Sequence, residues 1–315
     1  MQVEQDSHIS FIGLGNMGRG MCRNLVCNHL WTPQRVNKMP LTVFNRTISR
    51  AEALQAEMPD GSVQIASSIH EAVKCSDIII TCLSDDDAVQ QVLDEALGST
   101  PVGKLFVECS TIHPLRTQAL CNQVLQANAR FVACPVFGAP DRADKGQLVG
   151  VVAGPRSDID YVKPWFDGVI GRAVIDLGNH PTQLATTLKV IGNSFIFNMV
   201  EAVAEGHVLA EKTGLGGDAL HEYLTLFFPG VYASYSSRIM KGDYWNREEP
   251  LFLASLARKD ARHAMSLAQA VGTLLPALEI ADRNLAKVVE RKGDKGDYVG
   301  IYGVLRQEAG LKYEN

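Results

Sequence analysis

"FIGLGNMGRGMCRNL", residues 11–25, decides how the first half of the chain folds. The short apolar run "HISFI" (8–12) ends in Gly13-x-Gly15-x-x-Gly18, and helical spacing at Met21, Leu25 and Val26 follows at once. Glycines set between a strand and a helix have a mechanical meaning. They permit a tight turn, let backbone N–H groups approach a phosphate, and leave that anion at a positive helix N-terminus. The stretch therefore predicts a pyrophosphate-binding turn made by Gly13, Leu14, Gly15, Asn16, Met17 and Gly18. A glycine turn of another α/β protein is the competing reading, and the strand–turn–helix setting disfavours it.

Working outward, "LTVFN", "SVQIA", "DIIITCL", "KLFVECS", "RFVACPV", "LVGVVAG" and "RAVIDLG" read as further strands separated by helical or turn-rich segments. Near-continuous apolar strands alternating with helices indicate a parallel sheet covered on both faces, the doubly wound pattern. After about Gly178 the strands stop. Residues 181–212 read as one long helix, apolar on most sides at Leu184, Leu188, Ile191, Phe195, Met199, Val203 and Leu209, hence buried or at an interface. Helices follow at about 217–227, 229–241, 251–271, 275–291 and 298–309, with the polar, glycine-rich "RKGDKGDYVG" (291–300) as a loop. The expected organisation is a Rossmann-type doubly wound α/β domain (1–178) followed by an all-α domain (179–315).

Composition narrows the function. The chain has 315 residues, a net charge of −5 and no basic run, which disfavours nucleic acid, because phosphate backbones need clustered Lys and Arg. Seven cysteines lie scattered without CxxC or Cys/His spacing and suit small buried hydrophobes in a reducing compartment. The N-terminus has no basic, apolar signal pattern, and the apolar runs fall short of a membrane span. A cytoplasmic protein with no membrane partner is expected. The long connection "CNHLWTPQRVNKMP" (27–40) reads as a surface insertion.

The end of the second strand reads Asn45, Arg46, Thr47. An acidic residue there would accept from ribose hydroxyls and repel a 2′-phosphate. Arg46 instead offers a guanidinium, and its neighbours offer neutral hydrogen-bonding groups, so NADP(H) is favoured over NAD(H). In "TTLKVIGNSF" (186–195), Lys189 stands inside an apolar run with Asn193 one helical turn on. Burial disfavours the ammonium and tunes a lysine toward proton transfer. Such a lysine supplies a proton and stabilises a developing alkoxide. The alternative is a side chain that snorkels to the surface. "SDDDAV" (84–89) reads as a capped helix start and not a metal site, and His113, His207 and His263 read as structural or surface residues and not ligands. No metal site is expected.

Together "FIGLGNMGRGMCRNL", "VFNRT", "CLSDDDAV", "ECSTIHP", "PVFGAPDRADKGQL", "LKVIGN" and "LFLASLARKDARHA" resemble the β-hydroxyacid dehydrogenases over nearly the whole chain. This is the 3-hydroxyisobutyrate dehydrogenase and glyoxylate/succinic semialdehyde reductase group, related to 6-phosphogluconate dehydrogenase, and the NADPH-dependent reductase branch looks most similar. The resemblance implies Lys189 as the catalytic lysine and Asn193 as its orienting partner. It puts Thr111 at the junction of cofactor and substrate, Leu83 and Ser84 beside the nicotinamide ribose, and Lys259 on the cofactor. It also implies a homodimer or higher oligomer through the helical domain, acting on a small-molecule substrate. One motif departs. Where the family has an aspartate, a small residue and then Pro-Val-Ser-Gly-Gly to hold a carboxylate, this chain has Ala133 for the aspartate, Phe137 for the serine and Ala139 for the second glycine, with Gly138 kept. Gln183 and Ala185 also stand where glycines are usual. Thus a small aldehyde or oxo acid is the expected substrate, with an imine or a bulkier carbonyl without a carboxylate as alternatives. The lysine opposes the imine reading, because imine reductases usually carry an aspartate or tyrosine there.

Overall fold

The computed structural model describes residues 7–32 and 39–315. The start of the chain and residues 33–38, within the expected surface insertion, lie outside the described residues. Two compact units emerge, Met1–Lys189 and Val190–Asn315.

The first unit runs β1 (Ile9–Ile12), α1 (Asn16–Leu25), β2 (Leu41–Phe44), α2 (Ile48–Glu57), β3 (Val63–Ile65), α3 (Ile69–Lys74), β4 (Ile78–Thr81), α4 (Asp86–Leu97), β5 (Leu105–Glu108), α5 (Pro114–Gln126), β6 (Arg130–Ala133), β7 (Val136–Phe137), α6 (Pro140–Asp144), β8 (Leu148–Val152), α7 (Arg156–Phe166) and β9 (Gly171–Asp176). Six strands form a parallel sheet in the order β3-β2-β1-β4-β5-β6. Every residue of β1, β4 and β5 is buried, as helices on both faces require. This order reverses direction between β1 and β4, and ligands of such sheets bind outside the carboxyl ends of the strands at that point.

The expectation of a single parallel sheet needs correction at its far end. "RFVACPV" is two strands in two sheets. Cys134 N–H still bonds to Glu108 C=O at 2.7 Å. Pro135 has no N–H to continue that ladder, and its carbonyl accepts from Val151 instead. β7 then pairs antiparallel with β8, and β8 pairs parallel with β9, in a separate mixed sheet.

The changeover from strands to helices expected at 178–179 falls between β9 and α8 (Gln183–Thr213). The compact units divide further along, after Lys189. The second unit continues with α9 (Gly217–Phe227), α10 (Val231–Met240), α11 (Asp243–Asn246), α12 (Ala254–Ala270), α13 (Pro276–Lys292) and α14 (Ile301–Glu308). Ala254, Ala257, Ala261, Ala264 and Ala268 repeat at helical spacing on the buried face of α12, small enough for α13 to pack closely. The long apolar helix is only partly covered within its unit: Ile191, Phe195 and Leu209 are exposed, while Met199 and Val203 are in the core.

"RKGDKGDYVG" is not the plain loop its composition suggests. Asp297 is 1% exposed and anchors the unit. Its carboxylate accepts from the N–H groups of Leu251, Phe252 and Val299 and from the Arg238 guanidinium at 2.9 Å. Arg238 in turn lies against Tyr235 and Tyr298, with ring centroids at 5.4 and 5.5 Å.

Candidate active site

The three fingerprint glycines do three different jobs. Gly13 has φ +105°, and a Cβ there would stand 2.3 Å from Cys82 O. A Cβ on Gly18 would stand 2.0 Å from Gly13 O, so close packing of turn and helix requires its absence. A Cβ on Gly15 would meet nothing within 4 Å: this residue faces open space at the N-terminus of α1. Gly15 is the N-cap of that helix and has no side chain of its own to cap it. A helix start opening past a glycine into free space suits a dinucleotide pyrophosphate.

The strand ends place Asn45, Arg46, Thr47, Leu83, Ser84 and Thr111 along the same carboxyl edge. Asn45 follows β2, and both ends of its amide are used. Its Oδ1 accepts from Leu14 N–H and its Nδ2 donates to Thr47 C=O, each at 2.9 Å. Asn45 therefore holds the glycine turn against the end of β2. Arg46 and Thr47 are exposed beside it.

After β4 and β5 the support is a buried carboxylate that sequence reasoning missed. Glu108 is buried at the end of β5. Thr81 Oγ1 donates to it at 2.7 Å, and Ser110 N–H donates at 2.6 Å. Ser110 Oγ then accepts from Leu83 N–H at 2.8 Å. Burial pushes the Glu108 carboxyl above its usual range, while the hydrogen bonds from Ser110 and Thr81 pull the other way. This chain of bonds fixes Leu83 relative to Thr111, which follows Ser110. A charged residue inside the apolar "LFVECS" was the available signal.

Asp85 caps α4, accepting from Ala88 N–H at 2.8 Å, with Asp86 and Asp87 in the first turn, as "SDDDAV" suggested. Ser84 lies just before that cap and donates to Asp85. Thr111 is not the cap of α5; His113 is, through Nδ1 accepting from Leu115 N–H. His113 thereby takes the structural role expected of it. His207 does too, buried against Ser236 at 2.8 Å, its pKa lowered to about 4 chiefly by burial. Among the described residues no cluster of His, Cys, Asp or Glu is arranged to hold a metal.

Lys189 is 7% exposed. The start of α8 is pinned beneath it, because Thr186 Oγ1 and Thr117 Oγ1 of α5 share a buried hydrogen bond of 2.9 Å. Ala185 and Leu188 pack on the apolar cluster that also supports Leu83 and Phe137. Residues from the ends of β4 and β7 and the start of α8 are thus tied to one cluster. The Lys189 ammonium lies 4.5 Å from the Phe137 ring centroid. A desolvated contact of this kind stabilises the cation by about 2 kcal/mol. The loop carrying Phe137, Gly138 and Ala139 is also tied to the nucleotide helix. Asn24 of α1 donates to Ala143 C=O of α6 at 2.8 Å, and Arg23 of α1 pairs with Asp144.

In the helical unit, Asn193 donates to Asp260 Oδ2 at 2.7 Å. Asp260 is buried, and its other oxygen lies 3.3 Å from Lys259 Nζ. The bond orients the Asn193 amide with its nitrogen toward Asp260 and its oxygen away. Asp260 was overlooked because sequence reading singled out only Lys259 in "ARKD", and the burial that pairs Asp260 with Asn193 is set by packing. Two of the expected site residues, Asn193 and Lys259, therefore share one carboxylate.

Residues 8–178 match the family model described as the NAD binding domain of 6-phosphogluconate dehydrogenase. The chain is 34% identical to the NADH-dependent oxidoreductase ucdB of Aspergillus ustus, over 87% of this chain and 92% of that protein. It is 28% identical to glyoxylate/succinic semialdehyde reductase 1 of Arabidopsis thaliana, over 89% of this chain and 91% of that protein. Its fold is similar to that of 3-hydroxyisobutyrate dehydrogenase of Mycobacterium tuberculosis, solved with L-serine, with a TM-score of 0.78 and 24% identity over 95% of this chain and 99% of that one. With the nucleotide-binding half matched from β1 to β9 and the relatives spanning both units, the chain belongs to the β-hydroxyacid dehydrogenase family of NAD(P)-dependent oxidoreductases.

Proposed function

We propose that the protein is an NADPH-preferring reductase of a small aldehyde or oxo acid, or the corresponding dehydrogenase, with Lys189 as its general acid/base. The observation that carries this reading is the buried Lys189, whose helix start packs through Ala185 and Leu188 on the cluster that supports Leu83 at the carboxyl edge of the sheet.

When bound, the reduced nicotinamide supplies a hydride. The chain's own residues do the rest. Gly13 through Gly18 receive the pyrophosphate, and Asn45, Arg46 and Thr47 receive the adenosine ribose and its phosphate. Leu83, Ser84, Thr111 and Lys259 hold the nicotinamide end. Lys189 Nζ gives a proton to the carbonyl oxygen as negative charge develops there, and water restores it. The Asn193 amide oxygen, turned away from Asp260, orients the ammonium or the substrate hydroxyl. Thr111 and the loop Phe137, Gly138 and Ala139 border the substrate.

Exposed apolar side chains of the helical unit support self-association as a homodimer or larger assembly: Phe195, Leu226 and Phe227 are 71%, 72% and 70% exposed. No two of the seven cysteines form a disulfide, which suits the reducing cytoplasm.

The test is a substrate panel with both cofactors, followed by absorbance of the reduced form. Lys189→Ala should lower carbonyl turnover by about 10²–10⁴-fold with NADPH affinity near normal. Arg46→Ala should raise the KM for NADPH by about tenfold or more while sparing NADH, since a charge-assisted phosphate contact is lost. Full activity of the first variant refutes the mechanism. Equal effects on both cofactors refute the NADPH preference, a point sharpened by the relative named for NADH. Imine reduction is the second reading, favoured by Phe137 in place of the usual serine. Cyclic imines in the same panel separate the two, because turnover of imines alone removes the carbonyl reading.

A further inference from the structure

Phe137 sits where its ring cannot easily move. It ends β7, paired with Val149 of β8. The next residue, Gly138, has φ +137°, and a Cβ there would stand 2.6 Å from Leu148 Cδ2. Glycine is therefore required, and the backbone that aims the ring is held by β8. The ring packs partly on the cluster shared with Leu83 and Leu188, and the rest of it is open. Lys189 Nζ lies over it at 4.5 Å.

An aromatic face is electrically negative and its edge positive. That face attracts an ammonium and opposes a carboxylate. An oxo acid docking beside Lys189 would bring its carboxylate toward the same ring and pull the ammonium away from it. The lysine would then pair with the carboxylate instead of the reacting oxygen, and the acid would leave water with no compensating gain from the ring. An alkyl or aryl group has the opposite preference. It packs on the open part of the ring and leaves the ammonium to the carbonyl oxygen.

We propose that Phe137 sets the substrate class, a neutral carbonyl compound with an alkyl or aryl group on the reacting carbon in place of a carboxylate. This rests on the reductase reading above and narrows it. The reaction balances as a two-electron reduction. A reduced dinucleotide held by Gly13 through Gly18 would supply the hydride for the C–H bond and be left oxidised, while the carbonyl π electrons would take the Lys189 proton to form O–H and solvent would reprotonate the lysine.

Matched aldehydes test it. Isobutyraldehyde against glyoxylate, and 4-methylpentanal against succinic semialdehyde, each exchange an isopropyl group for a carboxylate of similar size. The full-length wild type should favour the neutral member of each pair by about tenfold or more in kcat/KM, in the range that pocket contacts provide. Phe137→Tyr should keep that ratio, and Phe137→Ser should shift it toward the acids by about tenfold, mainly through KM. Wild-type preference for the acids, or no turnover of either neutral aldehyde, overturns the proposal without needing a variant. So does an unchanged ratio in a Phe137→Ser protein whose cofactor affinity shows that it is folded. Lys189→Ala, run in parallel on the better substrate of the four, separates the two levels. If it retains activity, the lysine mechanism fails. If it is inactive while the acids are preferred, only the role of Phe137 fails.

Discussion

Replacing Gly15 and Gly18 by alanine, one at a time, separates cofactor binding from folding. Gly15 is the N-cap of α1 at φ −71°, ψ −170°, a conformation open to alanine, and its Cβ would meet nothing within 4 Å. Alanine is a poorer N-cap than glycine, at a cost of about 0.5–1 kcal/mol. Loss of chain freedom in the unfolded state offsets this by about 0.4–1 kcal/mol. The Gly15→Ala protein should therefore unfold within about 0.5 kcal/mol of wild type. Gly18→Ala differs, because its Cβ would lie 2.0 Å from Gly13 O and 3.1 Å from Phe11 Cε1. The turn must shift, at about 1–3 kcal/mol or more. For binding the order reverses in interest. The Gly15 methyl stands between the α1 N–H groups and an approaching pyrophosphate, and losing one or two charge-assisted hydrogen bonds worth about 1.5–3 kcal/mol each weakens NADPH and NADH alike by about 100-fold. Urea unfolding and fluorescence titration with both dinucleotides read the two effects separately. Wild-type dinucleotide affinity in Gly15→Ala would refute the pyrophosphate assignment. Instability of Gly15→Ala equal to that of Gly18→Ala would refute the steric reasoning.

Three further outcomes concern the helical unit. Asp297→Ala leaves Arg238 and three backbone N–H groups without their shared anion, and should cost about 3–5 kcal/mol in urea unfolding, whereas a loss below 1 kcal/mol contradicts its anchoring role. Glu201 accepts from Asn284 Nδ2 at 2.5 Å, and burial, with smaller help from Glu205 and Glu308, raises its pKa to about 7. Below the unfolded value of 4.5 it is protonated in both states; as pH rises to about 7 the native state progressively loses stability, by roughly 3 kcal/mol in all. Glu201→Gln should accordingly match wild type near pH 4 and be more stable at pH 8, and a pH-independent difference refutes the assignment. Phe227→Arg should weaken self-association in sedimentation velocity while leaving the fold intact by circular dichroism, and a wild type that is monomeric at all concentrations removes the proposed assembly.

The pattern of the strands and the glycine turn was legible because both depend on local chemistry. Apolar β-branched runs become buried strands wherever helices cover them, and a Gly-x-Gly-x-x-Gly turn constrains only its own few residues. The second sheet was not legible, because the partner of Val136 and Phe137 is β8, a choice made by tertiary pairing after Pro135 interrupts the first ladder. At the site, Lys189 stood out as a charge in an apolar run, and the structure buries it. Asp260 and Glu108 did not stand out as site residues. Their meaning lies in what they bond to, Asn193 and Lys259 in one case, Thr81 and Ser110 in the other, and those partners are set by packing. Asp297 was hidden by a polar setting that reads as solvent-facing until Leu251, Phe252 and Arg238 are seen around it.

The Asn45 amide, bonded to Leu14 on one side and Thr47 on the other, limits how this chain can be re-engineered or can drift toward another dinucleotide. The usual replacement for NADH use, an acidic residue at the strand end, would keep the acceptor for Leu14 but set a carboxylate oxygen against the Thr47 carbonyl. Binding specificity and the shape of the glycine turn would change together. Arg46 carries no such double duty, since it is exposed beside the turn. If Arg46 takes the 2′-phosphate as proposed, the accessible route between cofactors passes through position 46, with Asn45 left in place as the hinge pin of the loop.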